Sequence, residues 1–469
     1  MTDESTCQTS ALYDALGLEI GTDNISLDAG VADAQSGDWS AIKKLPPPMV
    51  VFPRTPAQVA ATLIVLGRFG QKAVIQGGLT GLAGAATPQC GEISISLSRM
   101  NRIEEFDRIG GTVTVQAGVT LEQVQTHVEA EGWFFPLDLG ARGSCQIGGN
   151  TATNAGGNRV IRYGTMRELV LGVEVVLADG TLLTMLNKVT KNTTGIDLRQ
   201  LFIGSEGTLG VITRIVLKLA PKPLSAVTAL CALGSFADAT SLLIQLQREL
   251  PTLSAFEVMW ERFMDAAIDI AALRPPFAET CPIYVLIETL GASDEGDRRL
   301  LEQVLERALE AGMVQDVVIA QSMEHSRQLW QYRESVGELL AQLKPHAAFD
   351  VGIPMAAMDD FVTSVNSTLS AMFPLQSHLF FGHIGDGNLH VLSGPYDIAD
   401  MLHRVEEVVY QAVAIAGGCI SAEHGIGMVK KDFLHLSRSS DEIKLMRALK
   451  TLLDPDHRLN AGRIFDREG

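Results

Sequence analysis

Gly143-Ser144-Cys145-Gln146-Ile147-Gly148-Gly149-Asn150-Thr151-Ala152-Thr153-Asn154-Ala155-Gly156-Gly157 is the stretch on which the fold turns. It is made of small residues, hydroxyls and amides, and no charge appears until Arg159. Backbone of this kind can lie flat against a large planar ligand and hydrogen-bond its edges. A flexible linker would lack Ile147 and the asparagines. Upstream, Ala73-Val74-Ile75-Gln76 reads as a buried strand that runs into Gly77-Gly78-Leu79-Thr80-Gly81-Leu82-Ala83-Gly84. A strand followed by a glycine loop lets backbone N–H groups approach a pyrophosphate that side chains would block. The spacing is not GxGxxG and no long helix follows, so a nicotinamide-binding Rossmann unit fits poorly. Downstream, Phe202-Ile203-Gly204-Ser205-Glu206-Gly207-Thr208-Leu209-Gly210-Val211-Ile212-Thr213 repeats the loop-to-strand design. One such loop says little. Three in one domain point to a bound nucleotide cofactor.

Around these loops the elements read in order. Met49-Val50-Val51-Phe52 is a short strand. Thr55-Pro56 caps a helix with Val59, Leu63 and Leu66 on one face, and Gly70 closes it. Gly111 to Val119 is a second strand region, and Thr120 with Gln123 opens a helix through a capping box. Residues 170–177 and 181–185 pair through Ala178-Asp179-Gly180. The first forty residues are polar and mixed, and no chemistry is read in them. Pro221-Lys222-Pro223 marks a boundary. Beyond it, strands near 226–232, 254–259, 282–289, 314–320, 347–353 and 377–384 alternate with helices near 236–249, 293–311, 323–341, 357–373 and 396–415. This pattern suits an open sheet with helices on one face. A last helix, 441–453, stops at Asp454-Pro455. There are no internal repeats.

A second constellation lies in the last quarter of the chain. Phe380-Phe381-Gly382-His383-Ile384-Gly385-Asp386-Gly387-Asn388-Leu389-His390 carries a strand into a turn and out again, and Ala422-Glu423-His424-Gly425 follows. Two imidazoles flanking so tight a turn can converge on one point, and Glu423 would complete a site with open positions for a divalent cation. Each histidine taken alone reads more readily as a hydrogen-bonded structural residue than as a ligand; the pair together with Glu423-His424 reverses that reading.

Composition bounds the rest. With 469 residues the chain is too long for one ordinary core, so two or three domains are expected. A net charge of −18 argues against nucleic acid and anionic membrane surfaces as partners. No apolar run reaches the ~18 residues of a membrane span, and Met1-Thr2-Asp3-Glu4-Ser5 has no secretory character. Cys7, Cys90, Cys145, Cys231, Cys281 and Cys419 are scattered, without a CxxC pair. That fits a reduced, cytoplasmic setting and argues against a zinc knuckle or an iron–sulfur cluster.

Taken jointly and in order, QGGLTGLAG, SCQIGGNTATNAGG followed by IRYG, DLRQLFIGSEGTLGVIT, FGHIGDGNLH, SAEHGIG and LNAGRIF resemble the vanillyl-alcohol-oxidase type of FAD-binding flavoproteins. Within that type they resemble the D-2-hydroxyacid dehydrogenases. This group includes D-lactate dehydrogenases and oxidases, the glycolate oxidase D-subunit and D-2-hydroxyglutarate dehydrogenase. The resemblance runs from about Pro48 to Phe465. It implies an α+β protein in three parts: a two-subdomain FAD-binding domain of the PCMH type over 1–222, an open-sheet substrate cap with the metal site over 223–425, and a segment over 426–469 that packs back on the FAD domain. It also implies FAD, with the pyrophosphate near Gly77, Gly78, Leu79, Thr80, Gly81 and Leu82. Some relatives attach it covalently through a histidine or cysteine, but no histidine lies near the first loop, so a non-covalent cofactor is expected, with Cys90 and Cys145 as the alternatives. The isoalloxazine would lie near Ser144, Gly148, Gly149, Thr153, Asn154 and Gly157. Pro136, Gly207, Ile212 and Asn460 are further cofactor contacts, with residues 206–212 closing over the adenine half. His383, His390 and Glu423 would bind a divalent metal, zinc first and manganese or iron as alternatives, and His424 would be the catalytic base. Arg333 falls where relatives clamp a substrate carboxylate; a surface arginine paired with Glu334 or Glu338 is the plainer alternative.

Three departures bear on the substrate. Relatives acting on D-2-hydroxyglutarate have a hydroxyl residue, a lysine and an asparagine where this chain has Gly337, Ala348 and Leu392. A distal carboxylate left without its cation would lose about 2–5 kcal/mol. The expectation is therefore a short D-2-hydroxyacid, D-lactate first, with D-2-hydroxyglutarate as the alternative and Arg327, His325 or Lys344 as substitute cations. The electron acceptor is not legible. A homodimer is the default assembly.

Overall fold

A computed structural model describes residues 3–466, side chains from residue 9 onward with the exception of Ala399. The outermost residues of the expected first and last segments, 1–2 and 467–469, lie outside the described range. The chain divides into two compact units. The first holds the chain up to Gly156, Gly164–Lys222 and everything from Glu423 on; the second holds Gly157–Tyr163 and Pro223–Ala422.

The first unit begins with helix α1 (Asp3–Ile20), in the region where the sequence reading finds no pattern. Strands β1 (Ile25–Ser26), β2 (Val50–Val51), β3 (Ala73–Gln76) and β4 (Ile93–Ser96) form one sheet in the order β1-β2-β4-β3, parallel except for β1. Helix α2 (Pro56–Phe69) crosses over between β2 and β3. The Thr55 hydroxyl accepts from Gln58 N–H at its start, and Gly70 at φ 60° ends it. A second, antiparallel sheet is built from β5 (Ile103–Asp107), β6 (Thr112–Gln116), β7 (Val170–Val176), β8 (Leu182–Met185) and β9 (Val211–Lys218) in the order β5-β6-β9-β7-β8. The Thr120–Gln123 capping box opens α3 (Leu121–Glu129) as expected. The glycine-rich stretch Gly143–Gly157 is not all loop, because Ile147–Ala152 forms a short helix, α4.

The C-terminal segment is tied into this unit by buried charge. Lys450, 2% exposed, donates to the carbonyls of Thr208 and Leu459 at 2.7 Å each and pairs with Asp454. Arg463 is 1% exposed and pairs with Glu92 at 2.6 Å, while also donating to Thr87 O. Lys450 thus has an acceptor for each of its three ammonium hydrogens inside the unit, as burial requires.

The second unit is one antiparallel sheet of seven strands among the described residues. These are β10 (Ser225–Leu233), β11 (Leu253–Trp260), β12 (Ile283–Gly291), β13 (Asp316–Ile319), β14 (Ala347–Gly352), β15 (Ser377–His383) and β16 (Asn388–Gly394), in the order β13-β10-β12-β11-β15-β16-β14. β16 and the helix Glu261–Ile270 are absent from the sequence reading, which takes 384–390 as a turn alone. Strand alternation sorts the side chains onto two faces. On one, Phe349 meets Tyr410 of α11 (Ala399–Ile415), in the layer that also holds α5 (Phe236–Glu249), α7 (Asp294–Glu310) and α10 (Met358–Met372). On the other, Leu230, Leu286, Met259, Phe381 and Leu392 share an apolar cluster with α6 (Glu261–Ile270), α8 (Met323–Glu334) and α9 (Val336–Gln342). The expected single helix 323–341 is thus two, divided at Ser335, whose hydroxyl turns back onto the Gln331 carbonyl. Residues 157–163, placed by sequence in the first domain, pack in this unit because Arg162 donates to the carbonyls of Thr252 and Leu290.

Candidate active site

In the first unit, a cavity of about 460 Å³ opens among the three glycine loops. Gly77, Gly78, Leu79, Thr80, Gly81 and Leu82 line it from the first loop, Gly148, Gly149 and Thr153 from the second, Gly207 and Ile212 from the third, and Asn460 from the C-terminal segment. The loops are close because the glycines allow it. A β-carbon on Gly78 would run into the Ser144 carbonyl, and one on Gly148 would sit 2.6 Å from Ala117 Cβ. Gln76, Gln146 and Asn150 also line the cavity, and the buried amide oxygens of all three lack hydrogen-bond partners. Buried acceptors without donors call for a ligand that brings N–H or O–H groups. A nucleotide-bearing heteroaromatic cofactor meets that need, so FAD fits this cavity.

Other expected cofactor residues are placed differently. Pro136 and Asn154 are not on the wall; Asn154 accepts from Arg167 N–H at 2.9 Å and from the Thr165 hydroxyl, which makes it part of the scaffold. Ser144 contributes its backbone carbonyl against Gly78 and is not a wall residue. Gly157 belongs to the second unit. Glu206 lines the cavity, yet its carboxylate is engaged within the protein: Oε1 accepts from Ile426 N–H and Oε2 from Gly427 N–H, each at 2.7 Å. Gln76, Gln146 and Asn150 are the residues missed. Their signal was their place inside the glycine motifs. Glu423 and His424 also line this cavity.

The second unit carries a charged patch on the sheet face of α6, α8 and α9. Cross-strand register places Glu257 of β11 opposite His383 of β15, Phe381 opposite His390 of β16, His390 opposite Asp350 of β14, and Leu392 opposite Ala348. The rings of His383 and His390 are perpendicular with centroids 5.3 Å apart, and a nitrogen of each lies within 4.8 Å of the other's. His390 also stacks on Phe381 at 5.0 Å. Glu257 is fully buried between two partners. It accepts from His383 Nδ1 at 2.6 Å and from Arg333 Nε at 2.7 Å. Burial pushes the Glu257 carboxyl up, but His383 and Arg333 outweigh it and hold the group down at about 2. A carboxylate on Nδ1 leaves Nε2 as the imidazole's lone-pair nitrogen, the usual anchoring of a metal-binding histidine. Glu257 is the residue that sequence reasoning missed here, since only strand register brings it to His383.

Arg333 is 8% exposed, so the alternative of a surface arginine paired with Glu334 or Glu338 does not hold. Its guanidinium lies 4.6 Å from the centroid of the Phe381 ring, with Nη2 3.4 Å from His383 Nε2. The substitute cations are elsewhere. Arg327 is 70% exposed and pairs with Glu324, and Lys344 and His325 are not buried. Ala348 and Gly337 are exposed, and nothing lies within 4 Å of where a Gly337 β-carbon would stand.

Residues 47–186 match the FAD binding domain family and residues 222–464 match the family described as FAD linked oxidases, C-terminal domain. Among curated proteins, the chain is 39% identical to a probable mitochondrial D-2-hydroxyglutarate dehydrogenase of Oryza sativa subsp. indica, over 95% of this chain and 80% of that one. It is 39% identical to a D-2-hydroxyglutarate dehydrogenase of Xanthomonas citri pv. viticola, over 92% and 91%, and 36% identical to a putative mitochondrial D-lactate dehydrogenase of Schizosaccharomyces pombe, over 94% and 85%. Among solved structures, p-cresol methylhydroxylase shares the fold with a TM-score of 0.79 at 16% identity, covering 98% of this chain and 97% of its own. The 4-ethylphenol oxidase of Gulosibacter chungangensis does so at 0.77 and 16%, covering 100% and 98%. The fold is thus the PCMH type of FAD-binding architecture. The chain belongs to the FAD-linked oxidases, in their D-2-hydroxyacid dehydrogenase group. It is an FAD-dependent oxidoreductase that acts on a CH–OH donor.

Proposed function

We propose that this enzyme oxidises a short D-2-hydroxyacid, D-lactate foremost, to the 2-oxo acid, with a divalent cation at His383, His390 and Glu423. The observation that carries the substrate choice is the Leu392–Ala348 pair on the sheet face of His390, with Gly337 on α9. Isobutyl, methyl and hydrogen offer no cation to a distal carboxylate. The metal reading is supported by the Glu257–His383 hydrogen bond, which orients one imidazole, and by His390 beside it.

Bound FAD supplies the acceptor for the C2 hydride, and a bound Zn²⁺ would supply Lewis acidity toward the substrate oxygens. The protein's own residues bind, orient and move the proton. His424 takes the hydroxyl proton on a ring nitrogen. Arg333 keeps N–H donors beyond those on Glu257 and His383, and these serve the C1 carboxylate. Gln76, Gln146 and Asn150 hold the edges of the cofactor through their amide oxygens. Cytoplasmic placement, the expected reduced setting, belongs to the same proposal. None of the five described cysteines forms a disulfide, and no described helix is long and apolar enough to cross a membrane.

The names of the rice and Xanthomonas relatives favour a second reading, D-2-hydroxyglutarate as substrate with electrons passed to an electron-transfer flavoprotein or another acceptor. Anaerobic absorbance of the purified flavoprotein separates the two. Bleaching by D-lactate in preference to D-2-hydroxyglutarate is the expected result. Preferential bleaching by D-2-hydroxyglutarate would overturn the substrate choice and leave the flavin chemistry intact.

A further inference from the structure

We propose that Glu206 is a positioning residue that fixes the turn carrying His424 against the cofactor cavity. The proposal rests on the assignment of His424 as the base. It goes beyond that assignment in naming what holds the base in place.

Glu206 supplies two of the groups that hold the turn. Both carboxylate oxygens accept backbone N–H bonds, from Ile426 and Gly427 at 2.7 Å each. Gly425 and Gly427 adopt φ values of +78° and +51°, a sharp turn that glycine reaches without strain. Gly425 also passes so close that a β-carbon there would stand 2.8 Å from Glu206 Oε1. On the far side, Met428 N–H and Val429 N–H both donate to the Ala83 carbonyl, at 2.9 and 3.1 Å. The His424 backbone is therefore two residues from the first of four anchored amides.

Glu206 is itself over-determined, as a clamp must be. Its φ is +52°, an uncommon value for a side chain of this size. Its N–H donates to Ala152 O at 2.8 Å, at the end of α4, and its carbonyl accepts from Asn460 Nδ2 at 2.7 Å. Asn460 Oδ1 in turn accepts from Ile75 N–H at 2.8 Å, in β3. The second glycine loop and, through Asn460, the C-terminal segment and β3 thus converge on one backbone position. Burial pushes the Glu206 carboxyl up, and the Ile426 and Gly427 amides and the nearby Lys430 act against that.

The test is Glu206→Gln in the flavin-loaded enzyme. The amide keeps the shape but sets an NH₂ against one of the two N–H groups. The expected result is full flavin content, KM near the wild-type value and a rate of anaerobic flavin reduction lowered about a hundredfold. Glu206→Asp, which retains both oxygens on a shorter stem, should recover part of that loss. In hydrogen–deuterium exchange the Ile426 and Gly427 amides should be slow in the wild type and fast in Glu206→Gln, while the amides of β9 stay protected. Wild-type rates per bound flavin in Glu206→Gln would overturn the proposal. So would fast exchange of the two amides in the wild type, which needs neither a variant nor a substrate. Failure of the wild type to be reduced by any D-2-hydroxyacid would instead sink the functional reading, and the exchange result would stand apart from it.

Discussion

The cofactor cavity and the charged sheet face solve the same problem with opposite materials. The cavity is built from backbone: three glycine loops brought to within one β-carbon of one another, with buried amide oxygens left for a ligand to satisfy. The sheet face is built from side chains: Glu257, Arg333, His383 and His390 come from four elements, the Glu257 carboxylate pairing with Arg333 and accepting from His383, and His390 packing edge-on against the His383 ring. A backbone site is rigid and tolerates no added volume. A side-chain site tolerates volume and fails when a charge is removed. The two regions should therefore break under different substitutions.

The largest effect is expected in the cavity. Gly78→Ala drives a methyl into the Ser144 carbonyl, a backbone atom that cannot rotate away. The protein should purify folded and colourless. A yellow Gly78→Ala protein with wild-type flavin content would show that the loops are not in close contact and would undo the contrast. Next comes His424→Ala, which leaves the flavin in place and removes the proposed proton acceptor. Stopped-flow flavin reduction should slow about 10²- to 10⁴-fold. Retained speed would assign the base elsewhere.

Glu257→Gln tests the other region. Removing one partner of a buried charge cluster strands Arg333 and costs about 3–5 kcal/mol, or a fall in Tm of about 6–20 °C at ~2–4 °C per kcal/mol. The sign of its pH dependence follows from the Glu257 carboxyl lying near 2, below its ordinary 4.5. A carboxylate with a depressed folded pKa stabilises fully above the ordinary value and loses that stabilisation as pH falls toward the folded one. The Tm gap between wild type and Glu257→Gln should therefore be widest above about pH 4.5 and close toward pH 2. A gap that ignores acid would mean that Glu257 is not ionised between its two partners.

The contrast also explains what the sequence disclosed. Backbone sites leave contiguous traces, because every glycine that must approach the ligand sits beside its neighbours in the chain. Gly77 to Leu82 and Gly148 to Thr153 were readable for that reason, and the cavity wall contains them. The two histidines were readable because one turn, the 3₁₀ segment Ile384–Asp386 and Gly387, separates them. Glu257 was not, since it stands 126 positions from His383 and arrives by pairing of β11 with β15. β16 was hidden by its own motif: Asn388, Leu389 and His390 look like the end of a turn until β14 and β15 flank them. Glu206 was visible inside its glycine loop, but the loop gave no sign that Ile426 and Gly427 would claim its oxygens.

The smallest effect is expected where the sheet face meets solvent. Ala348→Lys places an ammonium opposite Leu392, on the face shared with His390. Because Ala348 is exposed, water screens the new charge and an added dicarboxylate contact is worth about 1 kcal/mol, roughly fivefold in selectivity. The ratio of flavin reduction rates with D-2-hydroxyglutarate and D-lactate should move toward the diacid by about that factor at low ionic strength, and by less in salt. A much larger shift would mean that position 348 is enclosed when substrate binds, so that the charge acts in a drier setting than the exposed alanine suggests. No shift would mean that the distal end of the substrate points away from Leu392, and the three substitutions at 337, 348 and 392 would lose their bearing on substrate choice.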